Sequence, residues 1–427
     1  MIVGISSNIL VSVLEIGFIG QLGTQSVAAI TFTFPVVMIL SSISLGIGIG
    51  ASSVIARGVG AGDKTQAKRL GTHSMLLVLG SMSVLSFVGW ATIDPVFMAL
   101  GASPEILPLI HSYLDIYYPC VVLFAATMVS SNVMRANGNA NIPGIVMTLG
   151  ALFNLILDPI LIFGWFGFPR WELAGAAAAN AISRVATTGV LLYYITHSGL
   201  VARHNITERF FESCRAILQV GLPAMATQLI GPVSAAVITR LLASHGETVV
   251  AGFGVATRIE SVAVMLLFAL SASIGPFVGQ NWGAGKPERV RQGLRVTYLF
   301  CLLWGFLAAI PLVFFGATFA SWVDSDPAVV ATATFYLAVV PWSHGLWGVL
   351  MMSSASFNAL GKPIPSTILS FARMFILYLP LAMLLNSFFG HPGIFVATAA
   401  ANCIMGALGY LWFKTTFFAK HPQSTAT

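Results

Sequence analysis

The chain has 427 residues, of which 57% are hydrophobic and only 8% are charged. A soluble domain usually carries about 25% charged residues, so this composition excludes a chain that is mostly water-exposed. The formal net charge of +6 is not gathered into a basic run with interleaved aromatic residues, which argues against a nucleic-acid partner. The mean hydropathy of +0.89 and recurring apolar runs of about 20 residues predict an all-α polytopic membrane protein.

Twelve transmembrane helices are predicted from the apolar runs and the breakers between them. In chain order the spans are 1–20, 27–55, 71–93, 112–134, 143–165, 173–196, 217–243, 248–278, 293–315, 328–357, 366–389 and 393–413. Most lysines and arginines outside the spans, Arg203 and Lys420 among them, fall on the side of the two termini, and only Arg170 falls in the opposite loops. The positive-inside rule therefore predicts cytoplasmic termini.

The two halves of the sequence resemble each other. VGAGDKTQAKR after the second span matches WGAGKPERVRQ after the eighth, which pairs Gly60 with Gly283, and RANGNANIP matches FNALGKPIP, which pairs Gly138 with Gly361. Both pairs have the same offset (283 − 60 and 361 − 138 are both 223), although chance similarity of glycine-rich loops is an alternative. We therefore predict two pseudo-symmetric six-helix lobes, 1–200 and 217–427, with a cytoplasmic linker at 201–216, as in secondary transporters.

Enzymatic and metal-dependent functions find no support in the motifs. The four cysteines are scattered without a CxxC spacing, so we expect neither a disulfide framework nor a metal site. No HExxH or GxSxG motif is present, which argues against an intramembrane enzyme. No cofactor is expected.

The chain resembles the multidrug and toxic compound extrusion (MATE) family along essentially its whole length. The resemblance rests on EIGFIGQLG, GVGAGDKTQAKR and RANGNANIPG leading into NLILDPILIFG, followed by GFGVATRIES and GQNWGAGKPE. It implies a monomeric bacterial inner-membrane antiporter that exports amphipathic, often cationic organic compounds in exchange for inward H⁺ or Na⁺. It also implies two lobes around a central V-shaped cavity. Relatives usually have a longer first span, so this chain is expected to begin late.

Ionisable residues inside spans are the best functional candidates, since each costs about 2.5–3.5 kcal/mol to insert. Glu15, Asp158 and Glu260 lie well inside spans, and Asn154 precedes Asp158 by one helical turn. Counting residues from the span ends places Glu15, Asn154, Asp158 and Asn180 in the outer half of the amino-terminal lobe. Two nearby carboxylates repel each other, which favours binding of H⁺ or Na⁺.

The resemblance assigns the cation-coupling site to Glu15, Asn154 and Asp158. Two departures affect this assignment: relatives usually have Asp at the position of Glu15, and many have a hydroxyl residue at that of Asn180. An alternative is that these groups cap or tie helices, because Pro159 frees backbone groups next to Asp158. A second alternative is that Arg184 neutralises Asp158 in a structural salt bridge.

The carboxy-terminal lobe offers a different set of candidates. Glu260, His344 and Arg184 form a candidate secondary polar site, although a lone histidine is often a packed core residue. NorM-like relatives carry acids in the seventh and tenth spans, and their absence here favours a DinF-like protein coupled through the amino-terminal lobe.

Residues that contact the substrate are predicted from side-chain type alone. Met38, Met265 and Phe268 are candidates, although such side chains more often face lipid or the core. The rival function is a lipid-linked precursor flippase, which needs several cations in its cavity. The interior basic residues available for that role are Arg184, Arg240, Arg258 and Arg373.

Overall fold

A computed structural model describes residues 2–202 and 206–418, and within these residues all regular secondary structure is helical. Twelve long helical segments, numbered α1 to α12, follow one another. The first six are α1 (Ile2–Gly20), α2 (Thr24–Gly60), α3 (Lys64–Ala91), α4 (Leu107–Ala136), α5 (Asn141–Phe163) and α6 (Glu172–His197). The others are α7 (Phe210–Ala243), α8 (Glu247–Gly283), α9 (Pro287–Ser321), α10 (Pro327–Ala359), α11 (Pro363–Phe389) and α12 (His391–Phe413).

Ten of these segments, all except α1 and α6, are long and apolar enough by themselves to cross a membrane. Large apolar side chains remain exposed on them, such as Phe314 at 75% and Val296 at 70% on α9. Such exposure is unfavourable in water but suits a surface covered by lipid. The prediction of an all-α polytopic membrane protein is confirmed.

The helices differ from the predicted spans in several places. A 3₁₀ turn at Val340–Ser343 interrupts α10, and a π-helical stretch at Ala372–Tyr378 interrupts α11. A short helix, Ile93–Ala99, follows α3 and was not predicted. Residues 203–205 of the predicted linker 201–216, and therefore Arg203, lie outside the described residues, as does Lys420.

The chain divides into two compact units, Met1–Met225 and Ala226–Thr427. In the first unit, α5 packs along both α1 and α6. The α5–α6 crossing is close because Gly175 faces the backbone carbonyl of Leu161, where a β-carbon would collide. This packing brings polar side chains of α1, α5 and α6 toward one another.

In the second unit, α10 packs against α8, α9 and α12. Gly305 of α9 faces Gly345 of α10 directly, so the two backbones approach closely just after the 3₁₀ turn. On the other side of the turn, Tyr336 packs its ring on Phe395 of α12. The interruption of α10 is therefore enclosed by neighbouring helices.

The internal repeat is visible in the backbone. Gly138 and Gly361, which the sequence pairs, both have positive φ, of 90° and 74°. Gly62 and Gly285 (φ 79° and 65°) and the turn glycines Gly23 and Gly246 (φ 109° and 111°) follow the same offset of 223 residues. The units thus share turn geometry at three matched connections.

Candidate cation-binding site

Glu15 and Asn180 join α1 to α6. The Asn180 Nδ2 donates a hydrogen bond to Glu15 Oε1 at 2.7 Å and a longer one to the Ala176 carbonyl oxygen at 3.4 Å. Both side chains are half-buried. A hydrogen bond to an ionised carboxylate is stronger than one between neutral groups, so this contact positions Glu15 across the helix interface.

Asn154 and Asp158 lie one turn apart on the face of α5 that is turned inward. Asn154 Nδ2 donates to Asp158 Oδ2 at 3.0 Å, and the two residues are 5% and 0% exposed. The remaining oxygen of each, Asn154 Oδ1 and Asp158 Oδ1, is buried and has no hydrogen-bond partner among the described residues. A buried acceptor without a partner is costly, and a proton or a metal cation would satisfy both oxygens.

Glu15 and Asp158 are close enough for their negative charges to repel each other. Beside them is a cavity of about 50 Å³, which has room for a few water molecules. Its polar lining comes from α1, α4, α5 and α6: Glu15, Thr127, Ser131, Asn154, Asn180, Ser183, Arg184 and Thr187. Asp158 is not part of this lining and lies buried behind Asn154.

Arg184 faces Glu15 rather than Asp158. Its guanidinium lies 4.8 Å from the ring centroid of Phe124, and its positive charge attracts Glu15. Within residues 2–202 and 206–418, Arg184 makes no ion pair with Asp158. The salt bridge that would neutralise Asp158 is therefore not formed in this arrangement.

Two tyrosines of α4, which were not predicted from the sequence, belong to the same region. Tyr113 and Tyr117 stack with ring centroids 5.8 Å apart, and both interact electrostatically with Arg184. Tyr113 also interacts with Glu15 and Asp158. Their spacing of four residues within a predicted span puts both on one helix face, and this signal could have indicated them.

A second polar cluster lies in the other unit. Glu260 of α8 accepts a hydrogen bond from the Tyr336 hydroxyl at 2.8 Å through Oε2, and its Oε1 lies 2.5 Å from Nε2 of His344. Arg184, grouped with Glu260 and His344 from the sequence, instead belongs to the cavity of the first unit. Tyr336 was not anticipated.

The suggested substrate residues remain predictions. Met38 and Met265 are half-buried, while Phe268 is 43% exposed and packs edge-on against Trp347. In the part of the chain that the structure describes, no group of three or more His, Cys, Asp or Glu side chains is arranged to hold a metal ion.

Similarity to known proteins extends over nearly the whole chain. The family model MatE matches residues 1–160 and 223–384. An FAD transporter of Shewanella oneidensis is 38% identical over 416 residues, which cover 96% of this chain and 91% of that protein. The multidrug export protein MepA of Staphylococcus aureus is 27% identical over 424 residues, covering 96% of this chain and 90% of MepA.

Solved structures agree with these relatives. A crystal structure of the Vibrio cholerae MATE transporter VcmN superposes with a TM-score of 0.94 and 30% identity, covering 99% of this chain and 95% of VcmN. A family match over most of the chain and a 38% identical relative leave no doubt about membership. The chain is a multi-pass membrane transporter, not an enzyme, and belongs to the MATE family.

Proposed function

We propose that this protein is a secondary antiporter that exports organic compounds in exchange for inward H⁺ or Na⁺ by alternating access. The observation that carries the proposal is the pair of carboxylates, Glu15 and Asp158, held by amide donors beside a polar cavity. Ionised groups of this kind are rare within spans because they are expensive there, and they mark ion pathways.

The coupling ion would bind where the first unit has unsatisfied oxygens. Asn154 Oδ1 and Asp158 Oδ1 are acceptors without a donor, and either a proton on the carboxylate or a sodium ion between the oxygens would relieve that cost. Arg184 attracts Glu15 and therefore competes with any cation at that carboxylate. We accordingly propose that ion exchange centres on Asp158 and Asn154, with Glu15 and Asn180 responding to it.

Coupling requires that ion and substrate favour different states of the transporter. Neutralising Asp158 removes its repulsion of Glu15, which lines the cavity. That change in energy could bias the packing of α1 against α5 and α6. An outward-open state would accept the ion, and an inward-open state would release it.

Amphipathic, often cationic organic compounds are the proposed substrates. This follows the resemblance to MATE exporters and the multidrug export function named for MepA. Met38, Met265 and Phe268 are the residues we propose for apolar contact with them, because methionine and aromatic side chains adapt to varied ligands.

FAD is a second candidate substrate, favoured by one observation. The FAD transporter of Shewanella oneidensis is 38% identical to this chain, a higher identity than the 27% of MepA. FAD is a dinucleotide with negatively charged phosphates, so it differs in charge from the cations proposed above. A direct comparison of the two substrate classes would therefore be informative.

The lipid-linked flippase is the less favoured alternative. It needs cations gathered at one site, but Arg184 lies over Phe124 and Arg373 donates to Asn402. Arg240 and Arg258 are exposed side chains. Arg184 and Arg373 are thus already engaged within their own units, which argues against the shared basic cluster that pyrophosphate recognition requires.

The proposed setting is the bacterial inner membrane, with both termini in the cytoplasm and a monomer as the working unit. The charge asymmetry of the loops supports the orientation. Labelling of single cysteines introduced at Arg170 and Arg289 would test it, because these residues lie in predicted loops on opposite sides.

Transport by purified protein in liposomes is the decisive experiment. Gradients of pH and of Na⁺ are imposed separately, and movement of a fluorescent organic cation and of FAD is measured in each. We expect one of the two gradients to drive transport, and we expect Glu15→Gln and Asp158→Asn to abolish it.

The matched control is Glu105→Gln, which neutralises an exposed acid in a connecting turn. It should transport as the wild type does. Gradient-driven transport at wild-type rates by both cavity variants would overturn the proposed coupling site, and movement without any gradient would overturn antiport.

A further inference from the structure

The carboxylate of Glu260 connects the two sides of the break in α10. Tyr336 belongs to the helix before the break (Pro327–Val339), and His344 begins the helix after it (His344–Ala359). Tyr336 donates to Oε2 of Glu260, and His344 faces Oε1. One side chain of α8 therefore holds both parts of α10.

This cluster is largely buried. The side chain of His344 is 2% exposed and that of Glu260 is 14% exposed, while Tyr336 is 4% exposed. The second ring nitrogen of His344, Nδ1, is buried without a hydrogen-bond partner among the described residues. A buried imidazole normally uses both nitrogens, so one of them is left for a group that this arrangement does not provide.

Charged and titratable groups of the neighbouring helices do not contact the pair of Glu260 and His344 among the described residues. On α8, Arg258 is exposed, and on α9, Cys301 lies against Gly348. On α11, Tyr378 interacts electrostatically with Tyr336 and with Arg373. On α12, His391 packs its ring on Phe395. Within the described residues, none of these groups makes an ion pair or hydrogen bond with Glu260 or His344.

Arg373 is engaged elsewhere. Its Nη1 donates to Asn402 Oδ1 at 2.9 Å, and Asn402 Nδ2 donates to Ser343 Oγ at 3.1 Å. Ser343 is the last residue of the 3₁₀ turn. These contacts hold the 3₁₀ turn against α11 and α12. Because Arg373 is bonded to Asn402, it does not pair with Glu260. A proton is then the counter-charge available to that carboxylate.

We propose that Glu260 and His344 form a second proton-binding centre, which controls the break in α10. With one proton on Nε2, the neutral imidazole donates to the ionised carboxylate, and Nδ1 is a bare acceptor. A further proton on Nδ1 would create a buried N–H without an acceptor, which is unfavourable. Protonation therefore favours an arrangement in which the helix after the break moves and Nδ1 gains a partner.

The proposal extends the transport function without depending on which ion binds near Asp158. Buried histidine is suited to this role because imidazole exchanges protons in the physiological pH range. Tyr336 is a positioning residue, since it acts by holding the carboxylate. The centre would give the second unit its own response to pH.

Trp347 offers a direct readout, because its ring centroid lies 6.1 Å from that of His344 and imidazolium quenches indole fluorescence. We would titrate purified Glu15→Gln/Asp158→Asn protein, which lacks the carboxylates of the first unit, with and without Trp347→Phe. Subtracting the fluorescence of the protein with Trp347→Phe from that of the protein without it gives the contribution of Trp347. We expect a pH-dependent transition in Trp347 fluorescence that disappears in His344→Gln and changes its midpoint in Glu260→Gln.

Tyr336→Phe is the milder variant, because it removes one donor and keeps the ring packed on Phe395. It should move the same transition while leaving the thermal melting temperature nearly unchanged. His245→Gln, which changes an exposed histidine of the same unit, is the control and should leave the transition in place. An unchanged Trp347 transition in His344→Gln, or no transition in the parent protein, would overturn the proposal.

This fluorescence assay contains no substrate and no gradient. Its outcome is therefore independent of the liposome experiment. If the protein moved compounds without any ion gradient, antiport would fail, while the second proton centre would still be decided by Trp347.

Discussion

The two units have matched turns and unmatched buried ionisable groups. Gly23 and Gly246 adopt nearly the same dihedral angles (φ 109°, ψ 169° and φ 111°, ψ 162°) at the starts of α2 and α8. Yet the position 223 residues after Asp158 is Leu381, and the one 223 residues before His344 is Val121. The repeat thus preserves turns and helix order, while each unit has its own chemistry.

This difference indicates which features belong to the scaffold and which to function. Turn glycines recur because the connections require backbone angles that other residues adopt with strain. Buried ionisable groups such as Asp158 and His344 do not recur at the matched positions, although each is costly in a membrane, so each must be explained within its own unit. We infer that the proposed ion coupling is asymmetric between the units.

The largest expected effect comes from Asp158→Asn. Asparagine keeps the shape of the side chain and the contact with Asn154 but cannot be ionised. We expect gradient-driven transport in liposomes to fall to the background of empty vesicles. The repeat-related change Leu381→Met conserves volume and should leave transport near the wild-type rate.

Equal losses in the two variants would contradict the asymmetry. Such a result would mean that the repeat-related positions 158 and 381 both act through helix packing rather than through a charge. Insertion of both variants into the membrane is verified by size-exclusion chromatography, so that a folding defect is not mistaken for loss of coupling.

The shared scaffold predicts a matched pair of stability defects. Gly23 and Gly246 occupy a backbone region that is essentially reserved for glycine, so Gly23→Ala and Gly246→Ala should each cost about 1–3 kcal/mol. Thermal melting in detergent should fall by similar amounts. Gly17→Ala and Gly254→Ala are controls, because these helical glycines have open space and ordinary φ. A loss of stability in only one of the two variants would show that the matched turns do not contribute equally to the free energy of unfolding.

Much of the fold follows from the sequence because long apolar helices can be identified from composition alone. The interruption of α10 is harder to predict. Pro35, Pro119, Pro159 and Pro276 all lie inside helices that continue past them, whereas Pro341 lies in a 3₁₀ turn. A proline removes one hydrogen bond everywhere, but the packing of neighbouring helices decides whether the helix continues.

In the candidate sites, too, some contacts can be predicted from local spacing and others arise only from helix packing. The contact between Asn154 and Asp158 follows from their spacing of one turn, so it could be predicted locally. The contact between Asn180 and Glu15 joins residues 165 positions apart, which no periodicity reveals. The role of Tyr336 depends on two helix parts meeting at one carboxylate, and this geometry exists only after packing.

A smaller effect is expected from Asn180→Ala, which removes the 2.7 Å hydrogen bond to Glu15. The loss should slow coupled transport about tenfold, equivalent to about 1.4 kcal/mol, the size of a hydrogen bond to a charged group. Asn180→Ser restores a small donor and should recover part of the rate. Transport by Asn180→Ala at the wild-type rate would mean that Glu15 does not depend on this donor.

The smallest effect is expected from Arg184→Gln. Its comparison with Arg373→Gln tests whether the buried arginines of the two units affect ion binding differently. Arg184 attracts Glu15 and opposes cation binding in its cavity, whereas Arg373 is engaged with Asn402. Arg184→Gln should therefore lower the concentration of the driving ion that gives half-maximal transport about two- to fivefold, equivalent to about 0.5–1 kcal/mol for a partly screened charge. Arg373→Gln should leave that concentration unchanged, and the measurement is the rate in liposomes over a series of ion concentrations. If Arg373→Gln had the larger effect, the ion that drives transport would be sensed mainly in the second unit, and the assignment of coupling to Asp158 would have to be reversed.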